Sequence, residues 1–243
     1  MNIAFELSSA FKEIKAGLSR EEARQEVVSR AAAKGIDRPA GEIDEVTDLY
    51  ERASAMLLAD GVVYAASCHG EFDDERSTGT LTIGLSPLAY ADASVAVEGI
   101  REVMAKKRAN FSEVSLLELP CGNAVVAIQQ TPALRIPGEF TTTGQDIPID
   151  VAQLQAFIPV PQEAVPEEQA LVTITFSTPS VDHWPEYSEI VAEFLRTLRF
   201  LPDAHDEDMD VPPSSPAATE EAERPRNPIP AVPADRADMS AFG

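Results

Sequence analysis

Three places in the chain bring together residue types that do chemistry. "STPSVDHWPEYSEI" holds Asp182, His183 and the only tryptophan, Trp184. A histidine flanked by a carboxylate could serve as a general base. Cys68 stands beside His69, and Cys121 follows a proline in "LPCGNA". A thiol is a nucleophile once a base lowers its pKa, and such partners meet in space rather than in sequence. A Cys121–His183 pair is therefore one catalytic arrangement to consider. Arg135 and Glu139, in the stretch 131–148, are the charged residues best placed to join Cys121 in a ligand site.

Each has a plainer explanation. Cys68 and His69 are predicted on a strand, where successive side chains point to opposite faces, so they cannot readily share a site. Cys68 continues the Val62, Tyr64, Ala66 face and reads as a small buried thiol. Asp182 or Ser180 suits a helix N-cap, Trp184 suits an anchor on the core, and His183 is left as an exposed first-turn residue. Two cysteines and three scattered histidines give no zinc-ligand spacing. Asp206, Asp208 and Asp210 imitate the opening of a calcium loop, but Val211 replaces its glycine and Ala217 stands where a bidentate glutamate belongs. Neither a phosphate-binding glycine loop nor a Gly-x-Ser-x-Gly elbow occurs. No cofactor and no metal are expected, and no residue is assigned a catalytic role.

The elements that must carry these residues are readable. Ser19-x-x-Glu22 is a capping box ahead of Ala23, Val27, Val28 and Ala31 at helical spacing. A second helix from about Ile43 carries Val46, Leu49, Tyr50, Ala53, Met56 and Leu57 on its apolar face and ends at Asp60-Gly61. "GVVYAASCHGEF" and "GTLTIGLSPL", separated by "DDERS", form a hairpin. A third helix runs from about Ala91 to Arg108. "SEVSLLELPCGNAVVAIQQ" supplies two strands around Pro120-Cys121-Gly122. The stretch 131–148 reads as a loop rich in Pro, Gly and Thr. "AQLQAFIPV" and "ALVTITF" are strands, and Trp184 opens a helix whose stripe runs through Tyr187, Val191, Phe194, Leu195 and Leu198. The expected architecture is α+β: a mainly antiparallel sheet of six or seven strands with about four helices, in one domain over 1–202. The two-helix segment spans 19–59.

The formal net charge of the chain is −22, of which −7 falls between Asp203 and Gly243. So negative a surface repels phosphate backbones, so nucleic acid is not an expected partner; it steers a basic protein partner instead. No signal peptide and no membrane span are readable, which predicts a cytoplasmic protein without membrane insertion. Residues 203–243 combine Pro, Ala and acidic residues and are expected to be a disordered tail, either solubilising or a tether ending in Met239 and Phe242.

The order "TLTIGLSPL", amphipathic helix, "VSLLELPCGNAVVAI", "LQAFIPV", "LVTITFSTPS" and a last helix ending Leu198-Arg199-Phe200 resembles the Mog1/PsbP-like group, including DUF1795-type bacterial proteins. It is also similar to uncharacterised actinobacterial proteins. The likeness covers about half the chain, and the helices between Ser19 and Ala59 depart from it. The resemblance implies a non-enzymatic protein that binds other proteins, as an adaptor or a chaperone for secreted effectors. The alternatives are a small-ligand-binding protein or enzyme with its site by 131–148, and a homodimer formed through the first two helices. Whether one face of the sheet stays uncovered is left to the structure.

Overall fold

The computed structural model describes residues 1–33, 35–107, 111–136, 138, 143–165 and 169–202. The acidic stretch from Asp203, including Met239 and Phe242, lies outside the described residues, as does Glu139. In chain order the elements are β1 (Asn2–Ala4), β2 (Phe11–Glu13), α1 (Arg20–Ala33), α2 (Ala40–Ala59), β3 (Val62–Phe72), β4 (Glu75–Pro87) and α3 (Ala93–Lys106). There follow β5 (Glu113–Leu119), β6 (Gly122–Ile136), β7 (Ile147–Pro159), β8 (Ala170–Thr178), a 3₁₀ turn (Val181–His183), α4 (Trp184–Thr197) and β9 (Arg199–Leu201). The protein is α+β, as its sequence pattern predicts.

Seven strands form one antiparallel sheet in the order β2-β3-β4-β8-β7-β6-β5, and β1 pairs with β9 in a separate two-stranded ribbon. β8 lies near the middle and alternates strictly. Ala170, Val172, Ile174, Phe176 and Thr178 are buried, while Leu171, Thr173, Thr175 and Ser177 are only partly covered. Its register carries that alternation outward: Ile174 sits opposite Ile83 and Ala156, and Thr175 sits opposite Thr82 and Gln155.

The first face is the main core. Leu81, Ile83, Ile158, Val172, Ile174 and Phe176 are sealed by Tyr187, Val191, Phe194, Leu195 and Leu198 of α4. The N-terminal segment closes the flank: Phe5 packs edge-on against Tyr64 and Phe194, at ring distances of 4.8 and 5.4 Å. Thr197 Oγ1 ties that segment down by accepting from the Glu6 amide at 2.9 Å.

Local signals work where the chain needs a sharp change of direction. The Ser19–Glu22 capping box forms, with the Ser19 amide donating to Glu22 at 2.9 Å and Ser19 Oγ accepting from the Glu22 amide at 3.4 Å. The β3–β4 turn is Asp73-Asp74 alone, with φ of 50° and 64°, the geometry of a two-residue hairpin turn whose twist matches its strands. Glu75, Arg76 and Ser77 already belong to β4. Gly122 has φ 130°, and a Cβ there would meet Pro161 Cγ at 2.7 Å, so the β5–β6 turn admits only glycine.

Two expectations about elements are corrected. The stretch 131–148 is not one long loop: residues 131–136 continue β6 and pair with 147–151 of β7. A register shift between Pro132 and Leu134 absorbs the proline, which a regular ladder would not accept. Because β8 ends at Thr178, opposite Ala152, this part of the β6–β7 hairpin projects past the sheet. Second, the apolar residues of α2 are split. Its buried side is Ile43, Thr47, Tyr50, Ser54 and Leu57, whereas Leu49 and Met56 are 53% and 67% exposed. Thr47 and Ser54 are tolerated inside because Thr47 Oγ1 donates to the Ile43 carbonyl at 2.7 Å and Ser54 Oγ accepts from the Leu18 amide at 2.7 Å.

Candidate functional site

The second face of the sheet is covered at its sides and open in its middle. On one side, residues around Ala65 are covered from above β3 by α2, and Ala65 is 2% exposed. On the other, α3 packs on β5, β6 and β7 through Val97, burying Val125 and Ala127, which lie on the face opposite Ala124 and Val126. Between these helices the floor is β4 and β8, with the adjoining edge of β7. Its side chains are Thr80, Thr82, Thr173, Thr175, Ser177, Gln153 and Gln155. All are exposed or partly exposed.

In a chain this acidic, the floor of the trough has no charge. Its amides and hydroxyls bond one another in part: Gln153 Nε2 donates to Ser177 Oγ at 2.9 Å, and Gln155 Nε2 donates to Gln153 Oε1 at 3.2 Å. Uncharged groups of this kind offer both donors and acceptors to a bound molecule without the desolvation cost of a charge. At the end near Gly61 the trough deepens into a cleft of about 280 Å³ lined by Asp60, Val62, Thr82, Gly84, Thr173 and Thr175. Pattern reasoning identified these strands but assigned the outward threonines no task; their unbroken run along two neighbouring strands was the available signal.

The residues singled out from the sequence do not converge on this trough or on one another. Cys68 and Cys121 are buried, at 1% and 6% exposure, and burial raises both thiols above their ordinary pKa. A turn could have left Cys121 exposed and reactive, although packing is the commoner role of a free cysteine. It sits instead in the main core, and thiols held protonated in this way are poor nucleophiles. Cys68 shares the core with Tyr187 and Ser77; its Sγ is 3.7 Å from the Tyr187 hydroxyl. His69 points to the other face, where its Nδ1 is 3.0 Å from Thr78 Oγ1.

The Cys121–His183 pair is ruled out by topology. Cys121 adjoins the β6 residue Gly122 and the end of β7, where Pro159 pairs with Leu171. His183 follows the opposite end of β8, just after Thr178. The eight residue steps along β8 separate those ends by roughly 27 Å.

His183 is also not the exposed residue expected. It is buried at 8% exposure, its ring 5.2 Å from Phe72, and its Nε2 is 3.9 Å from a carboxylate oxygen of Glu75. Its Nδ1 has no hydrogen-bond partner among the described residues. The β3–β4 hairpin reaches over the 3₁₀ turn and covers it. Neither Asp182 nor Ser180 caps α4. Ser180 Oγ instead accepts from the Thr78 amide at 3.2 Å, and Thr178 Oγ1 donates to the Thr78 carbonyl at 2.6 Å, so the hydroxyls lock the end of β8 to β4. Trp184 does anchor: its ring lies 6.4 Å from Phe176.

Arg135 is exposed on the projecting part of β6, opposite Pro148. Among the described residues, no group of three or more His, Cys, Asp and Glu side chains could hold a metal ion. No described helix is long and apolar enough to cross a membrane. No protein-family model matches the chain, and no curated protein matches it.

Proposed function

We propose that this is a non-enzymatic protein-binding adaptor or chaperone-like protein of the cytoplasm, and that the trough between α2 and α3 is where it holds its partner. The observation that carries this reading is the open centre of the second sheet face, floored by uncharged hydroxyls and amides and walled by two helices. A sheet face left bare while its flanks are covered is a surface shaped for an occupant. The negative charge of the whole chain favours encounter with a basic protein. The resemblance to the Mog1/PsbP-like group, whose members mostly bind proteins, runs the same way by analogy.

The rival reading, a small-ligand or enzymatic site beside 131–148, has less support. Residues 131–136 and 147–151 are paired strands, and Cys121 is buried at the far end of the sheet.

The test is capture of a native partner by full-length protein and by the variant Thr82→Arg/Thr175→Arg. Those two threonines are cross-strand neighbours on the floor. A partner retained by the wild type and lost by a folded variant supports the reading. Undiminished capture contradicts it.

A further inference from the structure

Building on the adaptor reading, we infer that the trough accepts one amphipathic helix, basic on its polar side, laid between α2 and α3 with its apolar stripe against α2. The first support is width. α2 sits over β3, and α3 is centred on β6. Those strands are four places apart in the sheet, so their axes are separated by roughly 19 Å. Packed helices run about 8–10 Å apart, so a gap of that size takes one helix in contact with both walls.

The second support is the direction of a second apolar stripe on α2, half-buried at Val46 and exposed at Leu49, Ala53 and Met56. Val46, Leu49, Ala53 and Met56 form a stripe at helical spacing. α1 holds the other side of α2, through Arg20–Asp48 at 2.8 Å and Arg24–Asp44. α1 is itself tied outboard, to the end of edge strand β2 and the residues after it: Arg30 donates to the Glu13 carbonyl and Lys15 pairs with Glu26 at 3.2 Å. The stripe therefore turns inward, toward β4. The C-cap residue Asp60, next in the 46, 49, 53, 56 spacing, lines the cleft with Thr82 and Thr175, which agrees with that direction.

The third support is charge. α2 carries five acidic residues against one arginine. Asp44 and Asp48 are neutralised by α1, which leaves Glu42, Glu45 and Glu51; of these Glu42, reached by Arg38, and Glu45 lie on the side of the apolar stripe, where the C-cap Asp60 adds a third carboxylate. Lysines or arginines flanking an apolar stripe would meet them. The stripe spans ten residue steps, about 15 Å of helix, so contact needs roughly three turns of the partner. The chain's own stretch after Asp203 does not suit, since its many prolines would break such a helix.

The experiment is selection of a displayed library of random 16-residue peptides on the full-length protein, with counter-selection on Leu49→Glu/Met56→Glu. Both side chains are exposed, so thermal melting should show the variant folded. The expected hits carry apolar residues at i, i+3 or i+4, and i+7 with Lys or Arg between them. As synthetic peptides they should lose at least tenfold in affinity on that variant and on Thr175→Arg. Extended or proline-rich hits that Thr175→Arg abolishes would overturn the helix and leave the trough as the site. Hits indifferent to both variants, or no hits, would overturn both ideas. A wild-type dimer that Leu49→Glu dissociates would show a second copy covering the stripe, and would also overturn the proposal.

Discussion

The hydroxyl of Tyr187 lies 2.8 Å from Ser77 Oγ, joining α4 to β4 inside the core. Each group is the partner that makes the other's burial tolerable. Tyr187→Phe leaves Ser77 without that partner and should cost about 1–3 kcal/mol, as should Ser77→Ala. The double variant should cost less than the sum of the two, because the second change removes the orphan the first created. Urea denaturation of the four proteins measures this. Strict additivity would mean that the two hydroxyls are not coupled.

Alkaline pH should weaken the fold through buried acids. Burial raises the Cys68 and Cys121 thiols and, most strongly, the Tyr187 phenol. Above the ordinary thiol pKa of about 8.5 the unfolded chain releases protons that the folded one keeps, so stability falls as pH rises. The slope is at most about 1.4 kcal/mol per pH unit for each thiol. Tyr187 adds to the loss above about pH 10. Urea midpoints at pH 7.5, 9 and 10, compared with Cys68→Ala/Cys121→Ala, provide the check. The variant should be flatter between the two higher values, and an equal slope would refute the assignment.

His183→Phe should raise stability by about 1 kcal/mol. The change removes a buried nitrogen that has no hydrogen-bond partner among the described residues and keeps a ring against Phe72. A thermal melt decides it. A fall in stability, or a loss of partner capture, would show that the nitrogen has a task.

The hairpin turn gives a second stabilising change. Asp73 and Asp74 both have positive φ, and a side chain pays steric strain there that glycine avoids. Asp73→Asn/Asp74→Gly supplies the preferred residues for this turn and should stabilise by about 1 kcal/mol. No gain in urea midpoint would show that the turn carries no strain.

Local pattern revealed the strands well where each has one wet and one dry face. β8 is the clearest case, since its five inward and four outward residues alternate without a break. Pattern failed where burial depends on a distant element. His183 is covered by Phe72, brought over it by a hairpin more than a hundred residues earlier, and nothing near His183 announces this. On α2, apolar residues occupy two sides, so periodicity could not choose the buried one. The choice fell to Thr47 and Ser54, whose hydroxyls are satisfied inside. Prolines at 132 and 148 imitated a loop because a register shift that accommodates one is invisible in sequence. The trough was hidden for a related reason. Outward threonines look like ordinary solvent-facing positions until the two helices are seen to stop short of them.

Site-specific photocrosslinking in the native host tests the central claim most directly. A photoreactive residue is placed at Thr82 or Thr175 on the trough floor, or at Glu189 or Glu193 on the exposed side of α4. The account predicts a discrete crosslinked partner from the two floor positions and none from α4. Crosslinks from α4 with none from the floor would contradict it.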